Sequence, residues 1–472
     1  MTSQNPAEAL KAIVDAMKRA HVAAGPADAA LRRDRLERAA RLILDNNADI
    51  VRALDADFGH RSIYQSMAVD VATTVKSLRH AVQHVETWMA PEPVAEAGPG
   101  MRAWIQQQPL GVVGIISPWN FPINLAFGPL AGVFAAGNTA LVKPSELTPR
   151  TSELLAELIA RYFDPMELGV VLGSAEVGAA FSGLPFDHLV FTGSTNVGRH
   201  VMRAAAENLV PVTLELGGKS PVVVDSGADV KVAAERTLTI KTFNAGQICL
   251  SPDYVMLPAS EVDGFVAAAR AFIAQTFPTL QSNPDYTAIL SPRHYDRLVG
   301  LLADAQAKGA QVISLAPAGE PAHDPVTRKI APTLVLDVTD EMGVMQEEIF
   351  GPILPVKTWT DAAEPVAYIN SHPRPLAAYY FGPDAARQQA FAAHTTSGAL
   401  VINDVMTHVS IESLPFGGVG ASGIGAYHGV HGFRRFTHAK PVVVQSAAGE
   451  SGLRLRAPYE EKLVALKAAL GF

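Results

Sequence analysis

From Trp104 onward, short apolar runs alternate with stretches of helical periodicity. This alternation constrains the fold more than any other feature of the chain. Strands are expected at Val112 to Ile116, Thr139 to Val142, Val170 to Leu172, Leu189 to Thr192, Val212 to Glu215 and Val222 to Val224. Helices such as Ser152 to Tyr162 and Gly198 to Glu207 lie between them. Antiparallel neighbours need only a tight turn, whereas parallel ones need a long crossover, so a helix between successive strands means βαβ units and a parallel sheet. A second α/β region is expected from about 225 to 405, with helices at Val230 to Phe243, Ala259 to Thr276 and Arg293 to Lys308 and a strand at Ser397 to Asn403.

The chain is too long, at 472 residues, for one small core, and two or three domains are expected. Residues 1 to about 85 read as helices, with Leu10, Ile13, Val14 and Met17 on one face. Residues Glu92 to Gly100 form a Pro-, Gly- and Ala-rich connection. The most apolar stretch, Leu125 to Val142, is broken by Pro129, Gly132, Gly137 and Asn138, so it reads as a buried helix and a strand rather than a membrane span. Tyr459 to Phe472 reads as a short amphipathic helix. The N-terminus lacks a charged segment followed by an apolar core and a small-residue cleavage site, so no signal peptide is expected. Net charge is −8, from 38 basic and 46 acidic residues, which gives no nucleic-acid footprint. The 14 histidines show no metal-ligand spacing, so no metal is expected.

Cys249 is the single cysteine. It cannot join an internal disulfide and suits a reducing, cytoplasmic setting. A lone thiol can be a small buried hydrophobe or a nucleophile. Four further segments could carry chemistry. Ser117-Pro118-Trp119-Asn120-Phe121-Pro122 follows a strand, and Asn120 there is either an oxyanion donor or an ordinary turn residue. Leu214-Glu215-Leu216-Gly217-Gly218 sets a carboxylate at a strand end, as a general base with a raised pKa or as a solvated loop residue. Phe191-Thr192-Gly193-Ser194-Thr195-Asn196-Val197-Gly198 joins a strand to a helix N-terminus, which suits phosphate, though Gly-x4-Gly is a weak motif alone. Lys143-Pro144-Ser145-Glu146 and Glu347-Glu348-Ile349-Phe350 could each hold a ribose or form a surface turn. The Gly418-x-Gly420-x2-Gly423 pattern lacks a preceding strand and a following helix and reads as a chance match.

In this order, SPWNFP, KPSE, FTGSTNVG, LELGGKSP, FNAGQIC, EEIFGP and LPFGGVGASGIG resemble the NAD(P)-dependent aldehyde dehydrogenase superfamily, from about residue 104 to 440. Asn403-Asp404, His408 and Gly425-Ala426-Tyr427-His428-Gly429 resemble its class 3 branch. Glu412 stands where the mammalian class 3 pattern has His, and this acidic residue, with Asp57 to Ser62, is more similar to bacterial coniferyl-aldehyde dehydrogenases.

The resemblance implies a Rossmann-type cofactor domain from 1–82 and 104–222 and an α/β catalytic domain from 223–405. Segments 83–103 and 406–472 would bridge the two and form a small β oligomerisation arm, giving a homodimer. It implies that Cys249 attacks the aldehyde, Asn120 holds the oxyanion, and Glu215 activates water to hydrolyse the thioester. Trp119, Lys143, Glu146, Gly193, Ser194, Glu348 and Phe350 would hold the cofactor. Glu146, placed where a 2′-phosphate would go, favours NAD over NADP. Tyr64, Phe121, Phe243 and His408 would line the aldehyde tunnel. The expected substrate is an aromatic or cinnamyl-type aldehyde such as coniferyl aldehyde, or a medium to long aliphatic one. The alternatives are a CoA-acylating enzyme on the same fold, against which Glu215 argues, and a catalytically silent structural protein.

Overall fold

The computed structural model describes residues 6–97, 100–447 and 455–471. Three helices, Pro6–Ala24, Ala29–Asp45 and Asn47–Phe58, open the chain. Leu10, Val14 and Met17 are buried as their spacing predicts, while Ile13 is exposed. Asp28 caps the second helix by accepting from Leu31 N–H, and Gly59 ends the third in the left-handed region, at φ 72°.

The first large sheet has six strands, in the order Gly423–Ile424, Val212–Leu216, His188–Gly193, Val112–Ile116, Thr139–Lys143 and Leu168–Val170. All pair in parallel except the short Gly423–Ile424. Val112–Ile116 comes first in the chain and lies between Thr139–Lys143 and His188–Gly193. Strand order reverses there, and a ligand crevice belongs outside the carboxyl ends of strands at such a switch point. Ser117, Pro144, Ser194 and Gly217 each follow one of those ends. Four separated sequence motifs are thereby brought to one sheet edge.

The second sheet has seven strands: Gln311–Ser314, Thr333–Leu336, Ile353–Trp359, Pro252–Pro258, Ser220–Val224, Ala377–Phe381 and Ala399–Ile402. All are parallel except the edge strand Gln311–Ser314. A third, antiparallel sheet joins Glu92–Pro93, Met101–Pro109 and Thr437–Gln445. The boundaries expected at 104 and 223 fall inside strands of the third and second sheets.

The apolar helix Asn124–Ala135 is buried almost all round, as expected for a segment interrupted before the strand that follows it. The helix Glu460–Ala469 has no buried residue, so it does not seat one face as an amphipathic helix would. The eight residues Ser66–Thr73 wind as a π-helix, which no local pattern announces. It is held by a fully buried ion pair, Arg61 Nη2 to Asp70 Oδ2 at 3.0 Å.

Candidate active site

Cys249 lies between a one-turn helix, Phe243–Gly246, and the strand Pro252–Pro258. Three successive residues before it take positive φ: Asn244 at 48°, Ala245 at 51° and Gly246 at 72°. Such backbone is costly for side-chain-bearing residues and persists only where the surroundings enforce it. Here a buried amide network does so. Asn244 N–H donates to Gln65 Oε1 at 2.9 Å, and Asn244 Nδ2 reaches the carbonyls of Asn120 and Gln247 at 3.4 and 3.2 Å. Gln247 Nε2 donates to the carbonyls of Asn244 and Ala288, and Gln247 Oε1 accepts from Leu290 N–H. Tyr379 Oη clamps the far side, donating to the Leu250 carbonyl at 2.6 Å.

Asn120 belongs to the same network. It is buried, and its Nδ2 donates to the Gln247 carbonyl at 3.2 Å. An amide nitrogen carries two hydrogens, so one remains to be offered toward the thiol's surroundings. Cys249 is partly accessible. Burial, then the negative charges of Glu348 and Glu215, push its thiol up to about 12.

Glu215 is the most unusual group. Both carboxylate oxygens are buried without a hydrogen-bond partner. Burial raises its pKa well above 4.5, opposed by the charge of Arg435. A buried, unpartnered carboxyl group is favoured in its neutral form and becomes a strong proton acceptor when ionised. Tyr427 is buried, and burial, then the charges of Glu215 and Cys249, raise its pKa well above the usual value.

Trp119, Lys143, Glu146, Gly193 and Ser194 line one cleft of about 490 Å³, together with Ser117, Thr192 and His294. Ser194 caps the helix Thr195–Ala206, whose N-terminus therefore opens into this cleft. The hydroxyls of Ser117 and Thr192 are buried there without partners. Lys143 Nζ meets Glu146 Oε2 at 2.6 Å. These features fit a dinucleotide: a helix N-terminus for the pyrophosphate, unused hydroxyls, and a carboxylate for ribose hydroxyls. Trp119 meets Phe350 and His294 edge-on, at 5.3 and 5.0 Å between ring centroids.

Glu348 approaches the other end of the crevice. Its carboxylate lies against Gly217, where any Cβ would overlap it, and the Gly218 N–H bonds to it. Burial and Asp253 push its pKa up to about 8. Arg297 holds this segment from behind, donating to Glu347 Oε1 at 2.9 Å and to the carbonyls of Glu348 and Ile349. Lys219 pairs with Asp253, whose Oδ1 accepts from Ile349 N–H at 2.8 Å.

The expected tunnel residues fall in different settings. Phe121 is buried beneath the Arg61 guanidinium, 5.0 Å from its ring centroid. Phe243 is half-buried. Tyr64 is 74% exposed. His408 is half-buried, lies parallel to Phe416 with 6.4 Å between centroids, and has its pKa pushed down to about 4 by burial. The Gly418 to Gly423 segment is no phosphate loop: Gly423 pairs with Glu215 across the sheet edge. Sequence reasoning missed His294, Arg297, Tyr427 and Arg435, because each acts on a motif far from it in the chain. Among the described residues no cluster of three metal-ligating side chains occurs, and no helix is long and apolar enough to cross a membrane.

The pattern of the aldehyde dehydrogenase family matches residues 2–442. The chain is 59% identical to a coniferyl aldehyde dehydrogenase of Pseudomonas sp. (strain HR199 / DSM 7063) over 464 residues, covering 98% of this chain and 96% of that one. The substrate-bound Staphylococcus aureus AldH superposes with a TM-score of 0.92 at 38% identity, covering 99% of this chain and 100% of that one. The P. syringae indole-3-acetaldehyde dehydrogenase AldA, in a mutant complex with NAD+ and IAA, gives a TM-score of 0.85 at 26% identity, covering 93% and 89%.

Proposed function

Since the chain belongs to the aldehyde dehydrogenase family and acts as an oxidoreductase on aldehydes, we propose that it oxidises a cinnamyl- or benzaldehyde-type aldehyde to the carboxylic acid with NAD. The supporting observation is the buried, unpartnered Glu215 set beside Cys249 and Asn120 where the two parallel sheets meet. The likeness to the coniferyl aldehyde dehydrogenase supports the substrate class.

The Cys249 thiol gives up its proton to solvent water and its sulfur adds to the aldehyde carbon. The alkoxide that forms is held by the free hydrogen of the Asn120 amide and by the Cys249 backbone N–H. Trp119, Lys143, Glu146, Gly193, Ser194, Glu348 and Phe350 would hold the dinucleotide. When bound, the nicotinamide supplies a hydride acceptor, and the sulfur-bound carbon is left as a thioester. Glu215, ionised, takes one proton from water, whose oxygen attacks the thioester; the carbon–sulfur bond breaks, the acid leaves with the remaining proton, and the sulfur departs as thiolate. Glu348, held from behind by Arg297, would contact the nicotinamide ribose, and Glu146 would repel a 2′-phosphate by charge, favouring NAD over NADP.

A thioester passed to CoA is the competing outcome, and an acceptor carboxyl as sheltered as Glu215 has no task in it. Incubation with coniferyl aldehyde and NAD, with and without CoA, decides between them. Acid formed at the same rate without CoA is expected; acid or acyl-CoA formed only with CoA would overturn the hydrolytic reading. We also infer a cytoplasmic homodimer, because a lone catalytic thiol needs reducing surroundings and two strand edges, at Ala399–Ile402 and Thr437–Gln445, end their sheets.

A further inference from the structure

Arg435 lies 220 residues from Glu215 in sequence, yet it is the one charge that opposes the burial of that carboxyl group. The contact is built by packing. The helix Gly429–Arg435 lies on the helix Asn124–Ala135 so closely that a Cβ at Gly132 would come within 2.9 Å of the Gly432 backbone. This seats the last residue of the short helix under the strand Val212–Leu216. Arg435 Nε donates to Thr213 Oγ1 at 2.8 Å, and its Nη2 donates to the Val212 carbonyl. Gly425, at φ 84°, leaves the space: a Cβ there would lie 2.8 Å from the guanidinium carbon. Alternate residues of a strand share a face, so Thr213 and Glu215 point to the same side, roughly 7 Å apart along the strand. Val212, Leu214 and Leu216 pack on the opposite side.

We propose that Arg435 is the counter-charge of the general base, a positioning residue that acts through Glu215 and lets it shed its proton before each hydrolysis. This rests on Glu215 being the base. The other groups around it cannot serve. Cys249 and Tyr427 are neutral or negative, and Glu348, which also acts on Cys249, is a second acid. His188 on the neighbouring strand shares Thr213 Oγ1 at 2.8 Å, but burial and Arg435 push its pKa down to about 3, so it is uncharged. Burial alone lowers the pKa of Arg435, and Glu215 raises it, so the two charges favour each other.

The test compares wild type, Arg435→Gln, Arg435→Lys and Glu215→Gln from pH 5.5 to 9, following the NADH burst and the steady-state rate with coniferyl aldehyde. Arg435→Gln is expected to keep a full burst, while the acid limb of kcat moves up by about one pH unit, a roughly tenfold loss below the limb. Arg435→Lys is expected to restore the limb to near its wild-type position. An unmoved limb in Arg435→Gln, or an equal loss in the Lys and Gln variants, would overturn the proposal. Should Arg435→Gln fail to fold, Thr213→Val, which keeps the arginine but removes its anchor, decides instead: a smaller upward move supports the role and no move refutes it. If Glu215→Gln turns over at the wild-type steady rate, the base assignment itself has failed. If Glu215→Gln stalls and the Arg435→Gln limb is unmoved, only the counter-charge role falls.

Discussion

At the scale of single residues, the site depends on two acids that burial keeps from ionising in the ordinary range. Cys249→Ala should abolish oxidation while leaving NAD binding within about twofold, as read by NADH fluorescence titration; residual turnover would remove the sulfur from the mechanism. Asn120→Ala should lower kcat by about 100-fold or more through loss of one oxyanion donor. Glu215 also makes a stability prediction. Its folded-state pKa is raised, so the folded chain keeps a proton that the unfolded chain releases from about 4.5 upward. Stability should therefore fall as pH rises from that value toward the folded pKa, by up to about 1.4 kcal/mol per pH unit. Glu215→Gln removes this dependence. The Tm difference between the variant and wild type should widen in the variant's favour from pH 5 to 8, and a gap independent of pH would show that Glu215 ionises freely. The three residues proposed to carry the chemistry stand out in the chain, because Cys249, Glu215 and Asn120 each sit in a distinctive local motif. The groups that tune them were not. Arg435, Arg297 and Tyr427 reach the site through packing between distant segments, and no spacing rule encodes that.

At the scale of elements, the alternating strands of the first sheet could be read closely, since each is a short apolar run ended by Gly, Pro or Ser. Val112–Ile116 falls on its expected bounds, whereas Leu168–Val170 starts two residues before the expected strand at Val170 to Leu172. The strands Pro252–Pro258 and Ile353–Trp359 were not read, because Pro252, Pro258 and Pro355 break their local pattern. The turn before the thiol was equally opaque, since its left-handed backbone is enforced from outside by Gln65 and Asn120. Gly246 gives a direct measure of that enforcement. Alanine there would meet both a positive φ of 72° and the Gly351 carbonyl. Gly246→Ala should cost about 1–3 kcal/mol in urea unfolding, and it should lower kcat further by shifting Cys249 relative to Asn120. A variant with wild-type stability would show that this turn relaxes without cost.

At the scale of the whole molecule, three of the sheets divide the labour: one opens the crevice, one follows the thiol, and the third is the proposed arm for subunit contact. The arm strand Thr437–Gln445 exposes Val443, 62% accessible, and Ile402 on Ala399–Ile402 is also exposed. Val443→Lys combined with Ile402→Lys should shift the protein toward monomer in light-scattering measurements at micromolar concentration. An unchanged mass would place the subunit contact elsewhere.

The strand Val212–Leu216 of the first sheet passes into the second sheet at Ser220–Val224 through Gly217, Gly218 and Lys219 alone. Glu215 thus stands one residue from the end of its strand, and Glu348 touches the linker itself. Any rocking of one sheet against the other at this crossing would pivot beside the proposed water-activating group, and so change the reach of Glu215 toward the thiol it is proposed to serve.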